Sequence, residues 1–565
     1  MRIATTLALV ALVAACNGGT APPVTQGSDP TSSTESAPQT TTPATGDSPS
    51  STAASAQVEA TTCWSSAPAA GSEAITFTDQ SAALGLVEPL TGMHGHAAAF
   101  GDTDNDGVSD LVVGTFANRP PDAYQVRGAT GPSPDRLLRG GDIFVPEDGF
   151  PGGLGRTAAA VAADLDADGD QDVVLSRNSQ DRPGSELGSQ VMRNDGGSWS
   201  ALDLPLEPWF KGRSIGVLDY DADGMLDLFI VEDRYFDGGS SVLLRNLGDL
   251  QFEDVTAAVG LPTGIEGLGV ATADFDGNGS TDLFVSGSNR LFLVGDAGFT
   301  EAPRAVAPWE AFGEEDDVAG SAAADVNRDG LTDLVVGQHY NSTVDRGTEV
   351  PVRLYLNGGA EGGQVVFEDV TDQAGLIGLP TKAPHVQLED LDNDGWLDII
   401  TTASAGDGAA PAVFHGSGVE DGIPRFEAPE GLGSDQYWVA GPTTDLDRDG
   451  RLDLFLVEWE PALPSITLHN ETASGHWLQV SVSRPGGAVG SLVEVYEPGS
   501  MGNPEALLAH RQVTIGEGYA AGREPFVHVG LGDLDRVDVR LTLPGGEVSE
   551  LPEIGVDRRI ALPEC

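Results

Sequence analysis

Lysine is almost absent from this chain. Lys211 and Lys382 are two of its 29 basic residues, and the rest are arginines. Neither lysine follows a glycine in a phosphate-cradling GxxxxGKS/T loop, and amine-based catalysis has few candidates. Against 87 acidic side chains the formal net charge is −58. That charge excludes nucleic acid and anionic membrane surfaces as natural partners. Cysteine is equally scarce, with three residues and no CxxC pair, and the HExxH pattern is missing. Beyond the N-terminus no segment approaches 18 apolar residues, so no spanning helix is expected there. Glycine and proline abound instead, at 74 and 36 of 565 residues, without a collagen period. That composition favours many short strands joined by turns. The length exceeds one ordinary hydrophobic core and points to several domains or a repeat architecture.

The first residues read as an export signal. Met1 and Arg2 open a short basic region, and an apolar run from Ile3 to Val13 follows. It is too short to span a bilayer. It ends in Leu12-Val13-Ala14-Ala15-Cys16, which resembles a bacterial lipobox. The resemblance implies that residues 1–15 are a lipoprotein signal peptide and that Cys16 carries lipid. The lipid would be the chain's one contact with a membrane and would place the protein on the outer membrane or cell surface. Residues 16–62 are dominated by Ser, Thr, Pro, Ala and Gly and cannot bury a core, so a disordered tether is expected. Cys63 and Cys565 then remain, one opening the folded part and the other ending the chain. In an oxidising compartment they can pair and join the two ends; the alternative is two separate thiols.

Self-similarity organises the rest. DTDNDGVSD begins at Asp102, and related segments begin at Asp164, Asp219, Asp274, Asp325, Asp390 and Asp445. The seven copies are spaced by about 55 residues, the length of a four-stranded sheet with its turns. Each copy runs directly into a strand-like segment such as LVVG from Leu111 or LFIV from Leu228, and most are preceded by small residues, as at Ala97-Ala98-Ala99. Small residues suit strands crowded near a common axis. A second segment, FTDQSAALGL from Phe77, recurs from Phe252 and Phe367 at the end of a repeat. The last aspartate loop lacks it, so the N-terminal copy is expected to supply the missing outer strand and close the ring. The expected fold is all-β: a seven-bladed β-propeller over residues 63–470 with a small C-terminal β-domain over 471–565.

Positions 1, 3, 5 and 9 of each loop offer side-chain oxygens at the spacing a hard cation needs. Calcium takes six to eight oxygens in flexible geometry. The candidate ligands are Asp102, Asp104, Asp106 and Asp110 in loop one, Asp164, Asp166, Asp168 and Asp172 in loop two, and Asp219, Asp221, Asp223 and Asp227 in loop three. Loop four offers Asp274, Asp276, Asn278 and Asp282, and loop five Asp325, Asn327, Asp329 and Asp333. Loop six offers Asp390, Asp392, Asp394 and Asp398, and loop seven Asp445, Asp447, Asp449 and Asp453. Position 6 is glycine in all seven, as a sharp turn round an ion requires. Position 7 varies freely, so its backbone carbonyl is the expected ligand there. An EF-hand would need a glutamate at position 12; that position holds Val113, Leu175, Ile230, Val285, Val336, Thr401 and Leu456. Four carboxylates within nine residues repel one another without a cation. Up to seven structural calcium ions are expected.

These loops resemble the FG-GAP or VCBS repeat family, which implies calcium loops between the strands of a propeller. The C-terminal segments HWLQVSV from His476, VTIGEGYAAG from Val513 and HVGLG from His528 resemble the ASPIC/UnbV domain. That family's WPxG ending stands here as Leu543-Pro544-Gly545-Gly546. The combination is similar to the cartilage acidic protein-like family found in exported bacterial proteins. His94 and His96, at i and i+2 before the first loop, face one side of a strand. They invite a transition metal or an axial reaction, but no carboxylate or cysteine partner is identifiable, and packing beside the loops is the favoured reading. The same holds for His385. No catalytic residue is assigned. The functional expectation is an exported, surface-anchored, calcium-binding protein that binds a glycan or protein partner. The alternative is an extracellular carbohydrate-active enzyme (lyase, hydrolase or dehydrogenase) built on a propeller.

Overall fold

A computed structural model describes residues 60–562, apart from 183, 237, 296, 304–315, 342–349, 351, 362–363, 383, 406–409, 430 and 484–488. Cys16 and Cys565 lie outside the described residues.

Seven sheets repeat one plan: four antiparallel strands, in chain order in the first six, with an aspartate loop between the first two; Leu432–Tyr437 adds a fifth strand to the sixth sheet. In the second sheet these strands are Thr157–Ala163, Asp172–Arg177, Gln190–Asp195 and Ser198–Asp203. The first strands are built from the small residues noted in the sequence, and every residue of Gly95–Gly101 and Thr157–Ala163 is buried. Small side chains are needed because neighbouring first strands nearly touch. A methyl group on Gly101 would lie 2.5 Å from Ala162 Cβ, and one on Gly269 would lie 2.1 Å from Ala319 O. The ring closes where the Gly95 amide donates to Glu458 O at 3.1 Å. The last sheet takes its outer strand from the N-terminal side: Phe77–Asp79 pairs with Ile466–Asn470, Phe77 opposite Asn470. Closure of this kind removes the exposed edges that an open sheet presents.

Two further four-stranded sheets face one another at the C-terminal side. Their shared core includes Leu478, Val480, Val493, Val495, Val527, Val529, Val537, Val539 and Ile560. One of these sheets is completed by the first described strand, Thr61–Ser65, which pairs with Arg558–Leu562. Cys63, on that added strand, is disulfide-bonded.

The C-terminal segment does more than pack beside the ring. Its stretch Gly516-Glu517-Gly518-Tyr519-Ala520-Ala521-Gly522 enters the space between the first strands. Ala521 and Gly522 pair in parallel with Ala98 and Ala99 of the first sheet. The Ala98 amide donates to Ala520 O, and the Ser321 amide of the fifth sheet to Gly518 O, each at 3.3 Å. The Tyr519 amide donates to His385 Nδ1 at 3.1 Å in the sixth sheet. Arg213 Nη1 of the third sheet donates to the Tyr519 hydroxyl at 2.8 Å. Tyr519 is buried. The axis is therefore filled by a plug from the C-terminal region, hydrogen-bonded to four sheets.

Candidate functional site

The aspartate loops share one geometry that follows from their residues. Position 1 accepts backbone amides from across the turn: in loop one the Asp106 amide donates to Asp102 Oδ1 at 3.1 Å and the Gly107 amide to Oδ2 at 2.9 Å. Loop three repeats this at Asp219 with the amides of Asp223 and Gly224. Position 6 is in the left-handed region in all seven loops, from Gly107 at φ +81° to Gly395 at +98°. Position 4 is left-handed too. It is glycine in loop four and Asn105, Ala167, Ala222, Arg328, Asn393 and Arg448 elsewhere. Such a conformation costs a non-glycine residue about 1–2 kcal/mol, so every loop but the fourth stores strain that its cross-turn hydrogen bonds must hold.

Position 9 has a role that spacing alone does not reveal. The seven aspartates there begin the second strand of each sheet and are at most 2 % exposed. In each, one carboxylate oxygen accepts the amide of position 2 and the other an amide of the third strand. For Asp172 the donors are Leu165 and Asn194, and for Asp333 they are Val326 and Asn357. The position-9 carboxylate thus ties loop, second strand and third strand together, whatever remaining lone pairs it offers a cation.

Carboxylates converge in the first three loops. One oxygen from each of Asp102, Asp104 and Asp106 lies within 4.8 Å of the others, and the same holds for Asp164, Asp166 and Asp168 and for Asp219, Asp221 and Asp227. Burial, together with neighbouring carboxylates, pushes Asp102, Asp164, Asp219 and Asp325 up to about 6 and Asp172 and Asp227 up to about 8. Asp282, Asp333, Asp390 and Asp445 are raised well above the ordinary range by the same cause. Asp164 Oδ1 and Asp390 Oδ1 are buried with no hydrogen-bond partner. Orphaned, mutually repelling carboxylate oxygens are what a divalent cation satisfies, so these residues fit a metal. In loop four Asn278 turns its oxygen to the Ser280 amide and its Nδ2 to Val294 O. In loop five Asn327 Nδ2 donates to Asp329 Oδ2 at 3.0 Å and to Gly422 O at 3.1 Å.

The sequence reading passed over the third strand, which faces the loops. Asn194, Asn246, Asn357 and Asn470 are buried there, and each donates its Nδ2 to the position-2 carbonyl of the preceding loop: Thr103, Leu165, Phe275 and Leu391. They staple neighbouring sheets. The signal was a recurring asparagine, in RN at 193–194 and 245–246, LN at 356–357 and HN at 469–470. Replacing Asn246 with alanine leaves the Leu165 carbonyl without this donor. Thermal unfolding of that variant should show a loss of about 1–3 kcal/mol, whereas alanine at the exposed Glu253 should change little.

The C-terminal region caps two of the loops. His528 Nε2 lies 2.7 Å from Oδ1 of Asn393 at position 4 of loop six. A methyl group on Gly530 would lie 2.0 Å from Asp390 Oδ2. On loop seven the Trp477 indole covers Gly450, where an added methyl would sit 2.0 Å from Nε1, and Gln479 Nε2 donates to Asp445 Oδ2 at 3.0 Å. The HWL and HxGLG segments therefore hold the aspartate loops. His94 and His96 are packing residues. Arg119 Nε donates to His94 Nδ1 at 3.2 Å, and the His94 ring lies 3.9 Å from that of Trp459. His96 donates from Nδ1 to Ala158 O at 2.9 Å, with Arg213 Nη1 at 3.2 Å from its Nε2, and stacks on Phe116. Burial first, then the guanidinium beside it, brings His94 down to about 3 and His96 well below its usual value.

Seven such loops on a closed ring of four-stranded sheets define a repeat propeller with clustered acidic sites. The FG-GAP-like repeat family matches residues 219–285, 325–401 and 390–456, and the ASPIC and UnbV family matches residues 483–564. Those segments carry FG-GAP-like repeats and an ASPIC and UnbV region, as the loop and C-terminal motifs implied. Among curated relatives, cartilage acidic protein 1 of Mus musculus is 27% identical over 502 residues, covering 80% of this chain and 71% of its own. Cartilage acidic protein 1 of Homo sapiens is 27% identical over 492 residues, covering 80% and 69%. A crystal structure of BBS1N in complex with ARL6DN overlaps 70% of this chain and 97% of its own, at 10% identity and a TM-score of 0.40. That likeness is too loose to bear on function.

Proposed function

We propose that this is an exported, lipid-anchored surface protein whose aspartate loops hold structural calcium and whose outer surface binds a glycan or protein partner. The filled axis carries the binding reading. A propeller enzyme gathers residues from several sheets around its central space, and here that space holds the Gly516–Gly522 plug, hydrogen-bonded to four sheets. A ligand would then meet the outer loops and edges. Buried, unpartnered carboxylate oxygens such as Asp164 Oδ1 support the metal, and calcium is the common ion suited to an all-oxygen set with a flexible loop. The disulfide at Cys63 supports an oxidising compartment, and the lipobox-like stretch ending at Cys16 supports the anchor.

Metal analysis of the purified protein, combined with a glycan array and polysaccharide hydrolysis and oxidation assays, tests this reading. Retained calcium with saturable glycan or protein binding and no turnover is the expected result. Turnover of a polysaccharide would replace the binding role with an enzymatic one.

A further inference from the structure

The seven loops differ at one third-strand position, the residue just before the amide that position 9 accepts. In the first three sheets it is arginine. Arg139 Nη1 lies 3.0 Å from Asp110 Oδ2 and 3.5 Å from Asp104 Oδ2, Arg193 Nη2 lies 2.9 Å from Asp166 Oδ2, and Arg245 Nη2 lies 2.7 Å from Asp221 Oδ2. In the fourth and fifth it is Leu293 and Leu356, and in the sixth and seventh His415 and His469. The same place therefore presents a fixed cation, an inert group or a nitrogen ligand.

We propose that loop six is a transition-metal site, held by Asp392, Asp394 and His415, for a borderline divalent ion of the zinc or cobalt class. His415 Nε2 lies 3.1 Å from Asp392 Oδ2 and 3.8 Å from Asp394 Oδ2. These three residues each place a ligand atom within 4.8 Å of the others. Asp390, at position 1 of the same loop, is 2 % exposed, and its Oδ1 has no partner. Imidazole with two carboxylates suits zinc, cobalt or nickel, whereas calcium and magnesium take oxygen. His415 is about one-third exposed, which leaves a path for the ion. No arginine competes at that position. Loop seven is the built-in comparison. There His469 Nδ1 is engaged by Asp453 Oδ1 at 2.9 Å, and Arg451 Nε already donates to Asp449 Oδ2 at 2.8 Å. This inference rests on the reading of the loops as cation sites and departs from it in the ion chosen by one of them.

The test is titration of the chelator-treated full chain with Co2+ in excess calcium, followed by visible absorption, with calcium counted separately by mass spectrometry. One Co2+ should bind with ligand-field bands, be displaced by Zn2+ and resist calcium. His415→Leu, the side chain used in two other sheets, should weaken Co2+ by about tenfold or more, since loss of even an outer partner of a metal ligand costs 10–100-fold. Its calcium count and melting temperature in calcium should stay unchanged. Displacement of Co2+ by equimolar calcium, or equal Co2+ binding by His415→Leu, overturns the proposal and leaves the calcium reading intact. Co2+ held at His415 with no calcium elsewhere supports the proposal and removes the calcium reading. Loop seven gathers Asp447, Asp453 and His469 in the same way, so His469→Leu, which should keep the Co2+, places the ion even if His415→Leu does not fold; loss of Co2+ from His469→Leu overturns the proposal.

Discussion

Chelation of divalent cations should lower the melting temperature of this protein by about 10–20 °C, and by more at pH 8 than at pH 5. An ion at a hundred times its Kd stabilises the folded state by about 2.7 kcal/mol per site. A body of this size unfolds with an entropy of about 1 kcal/mol per kelvin, so each loop contributes about 3 °C. The pH dependence follows from the buried carboxylates. Asp102, Asp164, Asp219 and Asp325 are pushed up to about 6, and Asp172 and Asp227 to about 8, from an ordinary value of 3.8. The metal-free fold therefore holds more protons than the unfolded chain. Its stability falls as pH rises. For these six groups the loss accumulates between about pH 4 and pH 6, and for Asp172 and Asp227 it continues to pH 8, where Asp398, also pushed up to about 8 by burial, adds to it. Each tenfold change in proton affinity is worth about 1.4 kcal/mol. Saturating calcium should flatten the profile, because it neutralises the charge that burial penalises. Scanning calorimetry with and without chelator from pH 5 to pH 8 reads both effects. Superimposable melting curves would remove the cation from the structural account.

The second large effect concerns the plug. A protein ending at Asn470 should fail to reach a cooperatively folded state, although every aspartate loop is intact. Truncation would expose the inner strands at Ala98 and Ala99 and leave Arg213 and His385 without Tyr519. It would also strip His528, Gly530 and Trp477 from loops six and seven. A less drastic variant makes the same point. Gly518 has φ +60°, and a Cβ there would lie 2.4 Å from His385 Nδ1 and 2.6 Å from Val386 O. Gly518→Val combines left-handed strain of about 1–2 kcal/mol with contact against backbone that cannot yield. It should destabilise by about 3 kcal/mol or more, while Tyr519→Phe, which deletes one hydroxyl, should cost about 1–3 kcal/mol. Circular dichroism and light scattering of the truncated chain, and melting of the two variants, measure this. A soluble, cooperatively melting truncation product would mean that the ring stands without its plug.

The sequence by itself determined the repeated unit. The polar side chains at loop positions 1, 3, 5 and 9, the glycine at position 6, the apolar second strand and the outer strand donated from Phe77 all lie within a few residues of one another or recur at a fixed period, so local chemistry and periodicity expose them. The matched families agree with that reading at residues 219–285, 325–456 and 483–564. Tertiary structure decided what joins the units. The asparagine staples reach from one sheet to the loop of the one before, as Asn357 does to Phe275 across 82 residues. His415 meets Asp392 from the third strand, and Tyr519 meets Arg213 across 306 residues. The asparagines recur along the chain, but the carbonyl that each one reaches, like the partners of His415 and Tyr519, is not written in the sequence around it. Such contacts arise because polar groups buried at a junction must find a partner wherever the fold brings one. For the same reason the GEGYAAG stretch, which the sequence marks only as part of the ASPIC/UnbV-like region, stands in the structure at the centre of the ring.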